Sequence, residues 1–420
     1  MGFFNLDQTQ SKSRPDGKVY SCASCGLYQN CLSPKMKPHG KGRKRILTLG
    51  EGPGETEDAR GKQWQGKVGR KLSRVLKSLG VDLFEDCWSI NAVNCRPPKN
   101  RTPTNYEISC CRSSILALIK EKKPHMIIAL GNSAVESIIG HSWKQNIGGI
   151  SKWRGWTIPD REIGAWICPV FHPSFVVRQS GFPEVETIWL QDLKNALMCL
   201  DKPFPKHRDE RKGVIHVPDR EVVPVLKHIT SKYTGDVAFI DYETTGLKPH
   251  AFGHRIVCTS ISPDPHEVYV FMGPKTKRTK GALADFLQSA RVGKAASNMK
   301  FEHAWGLVRL GAHTQPWVWD TMIAAHVLDN RPGISSIKFQ AYVHLGVADY
   351  SSHISPFLEG KAPGENPKSE NAINRIFELI DQDGGEELRT YCALDSLYEH
   401  QVGLIQMKQL GYSPDFYPPF

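Results

Sequence analysis

The chain has 420 residues, 40% hydrophobic and 23% charged, with a formal net charge of +11. That length is too great for one ordinary core, so two or three domains are expected in a globular protein. No apolar run approaches the roughly 20 residues needed to cross a bilayer, which excludes an integral membrane protein of helical type. The start, MGFFNLDQTQ, has no basic-then-apolar leader, and Leu6 takes the place of the Ser/Thr of a myristoylation motif. A cytoplasmic setting is expected, in a bacterium or a virus-infected cell. The positive charge is uneven: residues 1–210 carry 32 Lys/Arg against 20 Asp/Glu. The first half is therefore suited to a polyanion.

In chain order, residues 1–45 are polar and basic and carry Cys22, Cys25 and Cys31. The CxxC pair is open between zinc, redox and cluster ligation. ILTLG (46–50) predicts a strand running into the Gly/Pro turn GEGPGETED (50–58). Leu72, Val75, Leu76 and Leu79 have helical spacing. A strand is expected at WSINAVN (88–94), a helix around 105–121, a strand at HMIIALG (125–131) and a helix at NSAVESIIG (132–140). CPVFHPS (168–174) predicts a last strand ending in a loop, and TIWLQDLKNALMCL (187–200) a closing helix. Strands alternating with helices indicate an α/β sandwich around a mostly parallel sheet.

DKPFPKHRDERKG (201–213) is a charged, Pro-containing connection. It places a first domain at 1–205, a linker at 206–213 and a second domain at 214–420. In the second, strands are expected at VIHV (214–217), DVAFIDYETTGL (236–247) and HEVYVFMG (266–273). Helices are expected at DREVVPVLKHI (219–229, with Asp219 as N-cap), WDTMIAAHVLDN (319–330) and residues 386–411, with KTKRTK (275–280) a basic loop and 350–370 irregular.

Two constellations carry chemistry. In the first, Asn91 ends an apolar run, Cys95 follows, then a Pro/Arg-rich loop and Cys110-Cys111. Cys22, Cys25, Cys95 and one of the later pair make a set of four thiols, the number that holds an iron–sulfur cluster. GEGPGETED, NAVNCRPPKNRTPT, PHMIIALG and FHPS (171–174) resemble, in order and spacing, the family 4 uracil-DNA glycosylases over roughly residues 18–200. The resemblance implies a three-layer uracil-glycosylase-like sandwich with a [4Fe–4S] cluster on Cys22, Cys25, Cys95 and Cys111, leaving Cys31 and Cys110 as bystanders. It implies that Asn91 reads the uracil edge and that His172 donates to uracil O2 as charge develops on the leaving base. Trp64, in QWQG, takes the place of the family's stacking Phe in PFxG. Glu51, or the backbone of its turn, is expected to position the attacking water. Ser174 and Arg178 are expected phosphate contacts. Removal of a base by such an enzyme requires flipping it out of the stack. The basic His-containing insertion of the uracil-trapping relatives is absent after the GE-PG motif, which favours ordinary hydrolysis.

In the second constellation, Asp241 and Glu243 are two apart on an expected strand and point to one side of it; Tyr391 and Asp395 are four apart on an expected helix and share a face. Buried carboxylates so placed require cations, and oxygen ligands suit Mg²⁺ or Mn²⁺. Two such ions can clamp the attacking and leaving oxygens of phosphodiester hydrolysis, and the Tyr391 hydroxyl can orient the water. DxE, then NxKFE with Glu302, then YxxxD resembles the DEDDy 3′–5′ exonucleases, an RNase H-like/DnaQ-like α/β fold, and within them the proofreading domain of family A DNA polymerases. Glu302 stands where that family has Asp, and Asp320 is expected to orient rather than to ligate. The whole resembles the N-terminal part of certain bacteriophage polymerases. The expected function is uracil excision and 3′-end trimming of DNA, with a polymerase as a separate chain or an omitted segment. A non-catalytic uracil- or DNA-binding first domain that recruits the exonuclease, or an RNA-trimming nuclease, are the alternatives.

Overall fold

A computed structural model gives the fold and describes residues 21–358 and 373–412. MGFFNLDQTQ, most of the stretch 350–370 and the end of GYSPDFYPPF lie outside the described residues. The chain divides into two compact units, Met1–Lys206 and His207–Phe420. Among the described residues no helix is long and apolar enough to cross a membrane.

The first unit holds strands β1 (Ile46–Gly50), β2 (Cys87–Asn91), β3 (Met126–Leu130), β4 (Ile158–Asp160) and β5 (Ala165–Val170). Their order is β2-β1-β3-β5-β4, parallel except for β4. A parallel strand covered on both faces reads as an unbroken apolar run, which is why ILTLG and MIIAL are legible. Leu72, Val75 and Leu76 of helix Lys67–Ser78, with Trp189 and Leu193 of helix Pro183–Leu197, pack on Ile46, Ile128 and Val170. Helix Asn132–Ser142 packs on β1 and β3 and against helix Asn105–Lys122. Thr104 and Glu107 close a capping box at the start of the latter, which stops the CRPPKNRTPT loop at a defined point.

Two expectations shift here. WSINAVN is a strand only to Asn91, because the chain then curls: the Ala92 N–H donates to Gly50 O (2.9 Å) and the Val93 N–H to Glu51 O (3.1 Å). FHPS does not end in a loop. Pro173 opens a short helix, Pro173–Arg178, with His172 as its N-cap, a place where the missing proline N–H costs nothing.

The second unit holds β6 (Val214–His216), β7 (Val237–Thr244), β8 (Ile256–Asp264), β9 (Glu267–Met272), β10 (Gly293–Ala296) and β11 (Trp317–Asp320). The order is β11-β10-β7-β8-β9-β6, with β7-β8-β9 antiparallel and the other pairs parallel. This is the RNase H-like arrangement expected from the motifs. Helices Val222–Lys232 and Lys277–Gln288 cover one face. Helix Glu386–Gln409 crosses the other, against β7, β8 and β9. Its approach is close at Gly403, where a Cβ would lie 2.4 Å from Phe239 Cζ. Gly403→Ala is therefore expected to destabilise this unit by about 1–3 kcal/mol through overpacking, measured by chemical denaturation.

Sequence reading missed β8. IVCTSISPD looks too polar for a central strand, yet Thr259, Ser260 and Ser262 are fully buried with their hydroxyls satisfied. Thr259 Oγ1 donates to Gly273 O (2.7 Å), and Ser260 Oγ to Cys392 O (2.8 Å). Asp219 does not cap a helix: it lies in the turn Asp219–Glu221, and the helix begins at Val222. The helix expected at 319–330 is β11 followed by Thr321–Leu328, and its Asp320 is the cap. KTKRTK runs from a loop into the helix starting at Lys277.

Candidate active sites

In the first unit the carboxyl ends of β1, β2, β3 and β5 emerge at one edge, the usual position for a ligand in an open α/β sheet. Gly50 and Asn91 are register partners there. Asn91 is 4% exposed. Its Oδ1 and the Trp64 ring share the space above Gly50, where a Cβ would lie 2.3 Å from that oxygen and 3.0 Å from Trp64 Cζ2. Asn91 Nδ2 donates to Gln63 Oε1. Trp64 is 8% exposed, held at φ 59°, and its ring centroid is 6.0 Å from that of His172. A bulky residue in the left-handed region is strained.

His172 is half-buried. The Ser174 backbone N–H donates to its Nδ1 (3.2 Å), and Ser174 Oγ lies 2.7 Å from the same nitrogen. Burial, and then the nearby Arg178 charge, lower its pKa to about 4. At neutral pH the ring is uncharged with Nδ1 accepting, so its proton is on Nε2, which is left as a donor. Glu51 accepts a hydrogen bond from Ser133 Oγ (3.0 Å), which fixes one carboxylate oxygen beside the same strand ends. Arg178 is exposed, while the hydroxyl of Ser174, expected on a phosphate, is engaged with His172.

Behind this edge the cysteines gather. Cys95 and Cys111 are buried with Leu27, Ala92, Val93 and Ile108, and Cys25 and Cys31 pack on them. Asp58, itself buried, accepts from Leu32 N (3.1 Å) and Ser33 N (2.8 Å) and so anchors the loop that follows Cys31. The thiols of Cys22, Cys25 and Cys95 all bear electrostatically on Cys111. Burial raises Cys22, pushes Cys95 up to about 12 and Cys111 higher still. Thiols so placed become thiolates only against a cation, which is what a metal cluster supplies. The Lys35 N–H donates to Cys95 Sγ (3.2 Å), the kind of contact that tunes a cluster. The donor set therefore fits a [4Fe–4S] group.

In the second unit Asp241 and Glu243, on β7, face Tyr391 and Asp395 on helix Glu386–Gln409. Asp241, Glu243 and Cys392 offer ligand atoms within 4.8 Å of one another. Lys338 Nζ donates to Tyr391 OH (2.7 Å) and to both Asp395 oxygens (3.1 and 2.8 Å). Tyr350 OH also donates to Asp395. Burial, then the Asp395 charge, pushes Asp241 up to about 7. Burial, with Asp241 next, raises Glu243 and Glu302 strongly. Carboxylates this crowded need positive charge to ionise together, so the donors fit hard divalent ions. Asp320 has its oxygens taken by the N–H groups of Asn298, Met299, Met322 and Ile323. It aligns the helix that carries Glu302.

Residues 38–194 match the model of the uracil DNA glycosylase superfamily. The chain is 35% identical over 187 residues to the type-4 uracil-DNA glycosylase of Thermotoga maritima, covering 92% of that protein and 44% of this chain. The chain belongs to the type-4 uracil-DNA glycosylase family. A second member, from Saccharolobus solfataricus, is 32% identical over 83% of its length. The DNA polymerase of Bacillus phage SP01 is 25% identical over 395 residues, spanning 87% of this chain and 40% of that one. Among solved structures, Brucella melitensis NrnC with bound Mg²⁺ shares 18% identity over 48% of this chain and 83% of that one, at a TM-score of 0.33.

Four residues beside these candidate sites, Gln63, Lys338, Tyr350 and Glu399, carry no motif in the sequence. Gln63 was passed over because it lies outside any polar motif, in the departure QWQG. Lys338 was passed over because a single lysine on a helix carries no pattern; only the fold brings it to Asp395. Glu399 was also missed, although its place one turn beyond Asp395 could have drawn notice.

Proposed function

We propose that this chain is a bifunctional, phage-type DNA repair and replication enzyme, acting in the cytoplasm of a bacterial or infected cell. It excises uracil by N-glycosidic hydrolysis and trims 3′ ends by two-metal phosphodiester hydrolysis. The observation that carries the reading is that each unit gathers residues far apart in sequence into one buried polar site: Gly50, Trp64, Asn91 and His172 in one, Asp241, Glu243, Glu302, Tyr391 and Asp395 in the other.

In the first site, Asn91 reads the base edge, Trp64 stacks, and His172 Nε2–H donates to the O2 of the leaving uracil. Glu51, or the backbone of its turn, holds the attacking water. Exposed Arg178 is the phosphate contact, Ser174 holds His172, and Cys22, Cys25, Cys95 and Cys111 hold the cluster that fixes the Arg96–Thr104 loop. In the second site, Tyr391, held by Lys338, orients the water. Bound Mg²⁺ or Mn²⁺ would stabilise charge on the attacking and leaving oxygens. A polymerase, in another chain or a further segment, is the natural partner.

The alternative is that the first unit binds uracil or DNA without releasing the base. Iron-loaded protein should release free uracil from a labelled single-stranded oligonucleotide. Uracil-selective binding without release would turn the reading to the binder. DNA and RNA strands of matched sequence separate the two nuclease readings.

The acid site also sets a pH dependence. Asp241 binds its proton near pH 7 in the folded chain, but only near pH 4 when unfolded. Between these values the folded state holds the extra proton, so metal-free stability falls as pH rises through the window. Mg²⁺ offsets the charge, so it should raise the unfolding temperature more at pH 8 than at pH 5.5. Equal Mg²⁺ effects at both pH values would contradict this.

A further inference from the structure

Cys392 fills one of the open positions of the YxxxD motif and is none of the motif acids. It lies on helix Glu386–Gln409, which packs against β7 and β8, and it is fully buried. Ser260 Oγ of β8 donates to Cys392 O (2.8 Å), which seats this turn of the helix on the sheet. Cys392 Sγ lies 3.7 Å from the main-chain oxygen of Asp241. Asp241 and Glu243 are two apart on β7, so their side chains leave the strand on the same face. One carboxylate oxygen from each, and the Cys392 sulfur, all lie within 4.8 Å of one another. A point between three such atoms is at most about 2.8 Å from each, so small side-chain rotations reach the ~2.1 Å oxygen and ~2.3 Å sulfur distances of a bound Zn²⁺ ion. Glu243 is 8% exposed, and no side-chain hydrogen bond engages it among the described residues. Asp241 Oδ2 is buried with no hydrogen-bond partner among the described residues. The Lys338 ammonium is committed to Tyr391 and Asp395 instead.

We propose that Cys392 is a third ligand beside Asp241 and Glu243, making a mixed oxygen–sulfur site for a borderline divalent ion of the Zn²⁺ and Co²⁺ class. The selection follows from softness. Carboxylates alone suit Mg²⁺ or Mn²⁺, whereas a thiolate favours Zn²⁺ and adds little to the binding of Mg²⁺. The Cys392 thiol releases its proton to solvent as the sulfur–metal bond forms. Cys258, the register partner of Glu243 on β8, lies outside the ligand set and serves as the control thiol. The site's existence does not rest on the nuclease reading. If that reading holds, Zn²⁺ competes with Mg²⁺ for one of the two metal positions.

The test adds Co²⁺, a coloured substitute for Zn²⁺, to the iron-loaded full chain freed of divalent ions. The natural protein, Cys392→Ser, Cys392→Ala and Cys258→Ser are compared, with the iron–sulfur absorption common to all subtracted. The natural protein should develop a thiolate-to-cobalt charge-transfer band in the near ultraviolet. Both Cys392 variants should lack the band and bind Co²⁺ about 10–100-fold more weakly, with Mg²⁺ affinity unchanged. Cys258→Ser should keep the band. No band in the natural protein, a band that survives in both Cys392 variants, or one lost in Cys258→Ser would overturn the proposal. So would an equal loss of Co²⁺ and Mg²⁺ affinity, which is what a merely structural cysteine predicts. A Cys392-dependent band in protein that leaves 3′ ends intact with Mg²⁺ would instead sink the nuclease reading and leave the site standing.

Discussion

Asp241→Asn should abolish metal-dependent shortening from the 3′ end, with a loss of at least about 10²–10³-fold, the scale on which charge-placing groups act in a transition state. The cause is local. Asp241 lies at the centre of the crowded acids: it bears on Glu243, Glu302 and Glu399 and is itself raised by Asp395. Asn keeps the size and removes the charge on which the proposed metal site depends. The same change relieves repulsion, so the metal-free variant should unfold at a higher temperature than the natural protein and gain less from Mg²⁺. Loss of activity with unchanged Mg²⁺ stabilisation would mean that Asp241 does not face a cation. Uracil release, which belongs to the other unit, should be unchanged.

The second large effect is expected at His172. His172→Asn can still cap helix Pro173–Arg178 through its side-chain oxygen, but it lacks the ring Nε2–H. Uracil release should fall by about 10²–10³-fold in single turnover, while binding of uracil-containing DNA changes little. In the natural protein the depressed pKa, about 4, keeps the ring neutral. The rate should therefore show no inflection near pH 6.5, and its His172-dependent limb should appear only on approach to pH 4. An inflection near 6.5 that disappears in His172→Asn would show that the histidine acts as a cation. Ser174→Ala should be milder, since the Ser174 backbone N–H still fixes the tautomer.

What could be read in advance follows the physics of each element. Parallel strands covered on both faces are written as apolar runs, so β1 and β3 were legible. β8 was not, because its Thr259, Ser260 and Ser262 satisfy their hydroxyls internally and imitate a loop in one dimension. The residues of the proposed sites carried by tight motifs were legible for the same local reason: Asp241 and Glu243 share a strand face, and Tyr391 and Asp395 a helix face. Lys338, Tyr350, Gln63 and Glu399 enter only through tertiary packing. Asp320 is expected to orient, and its hydrogen bonds to Asn298 and Met299 do hold the start of the Glu302 helix; Ser174 is expected on a phosphate, but its hydroxyl lies on His172.

The most direct test is one oligonucleotide carrying an internal uracil and a 3′ label, incubated with iron-loaded protein with and without Mg²⁺. Uracil release in both conditions and 3′ shortening only with Mg²⁺ are expected, His172→Asn removing the first alone and Asp241→Asn the second alone. Absence of both uracil release and Mg²⁺-dependent shortening, in protein with its full iron content, would contradict the account.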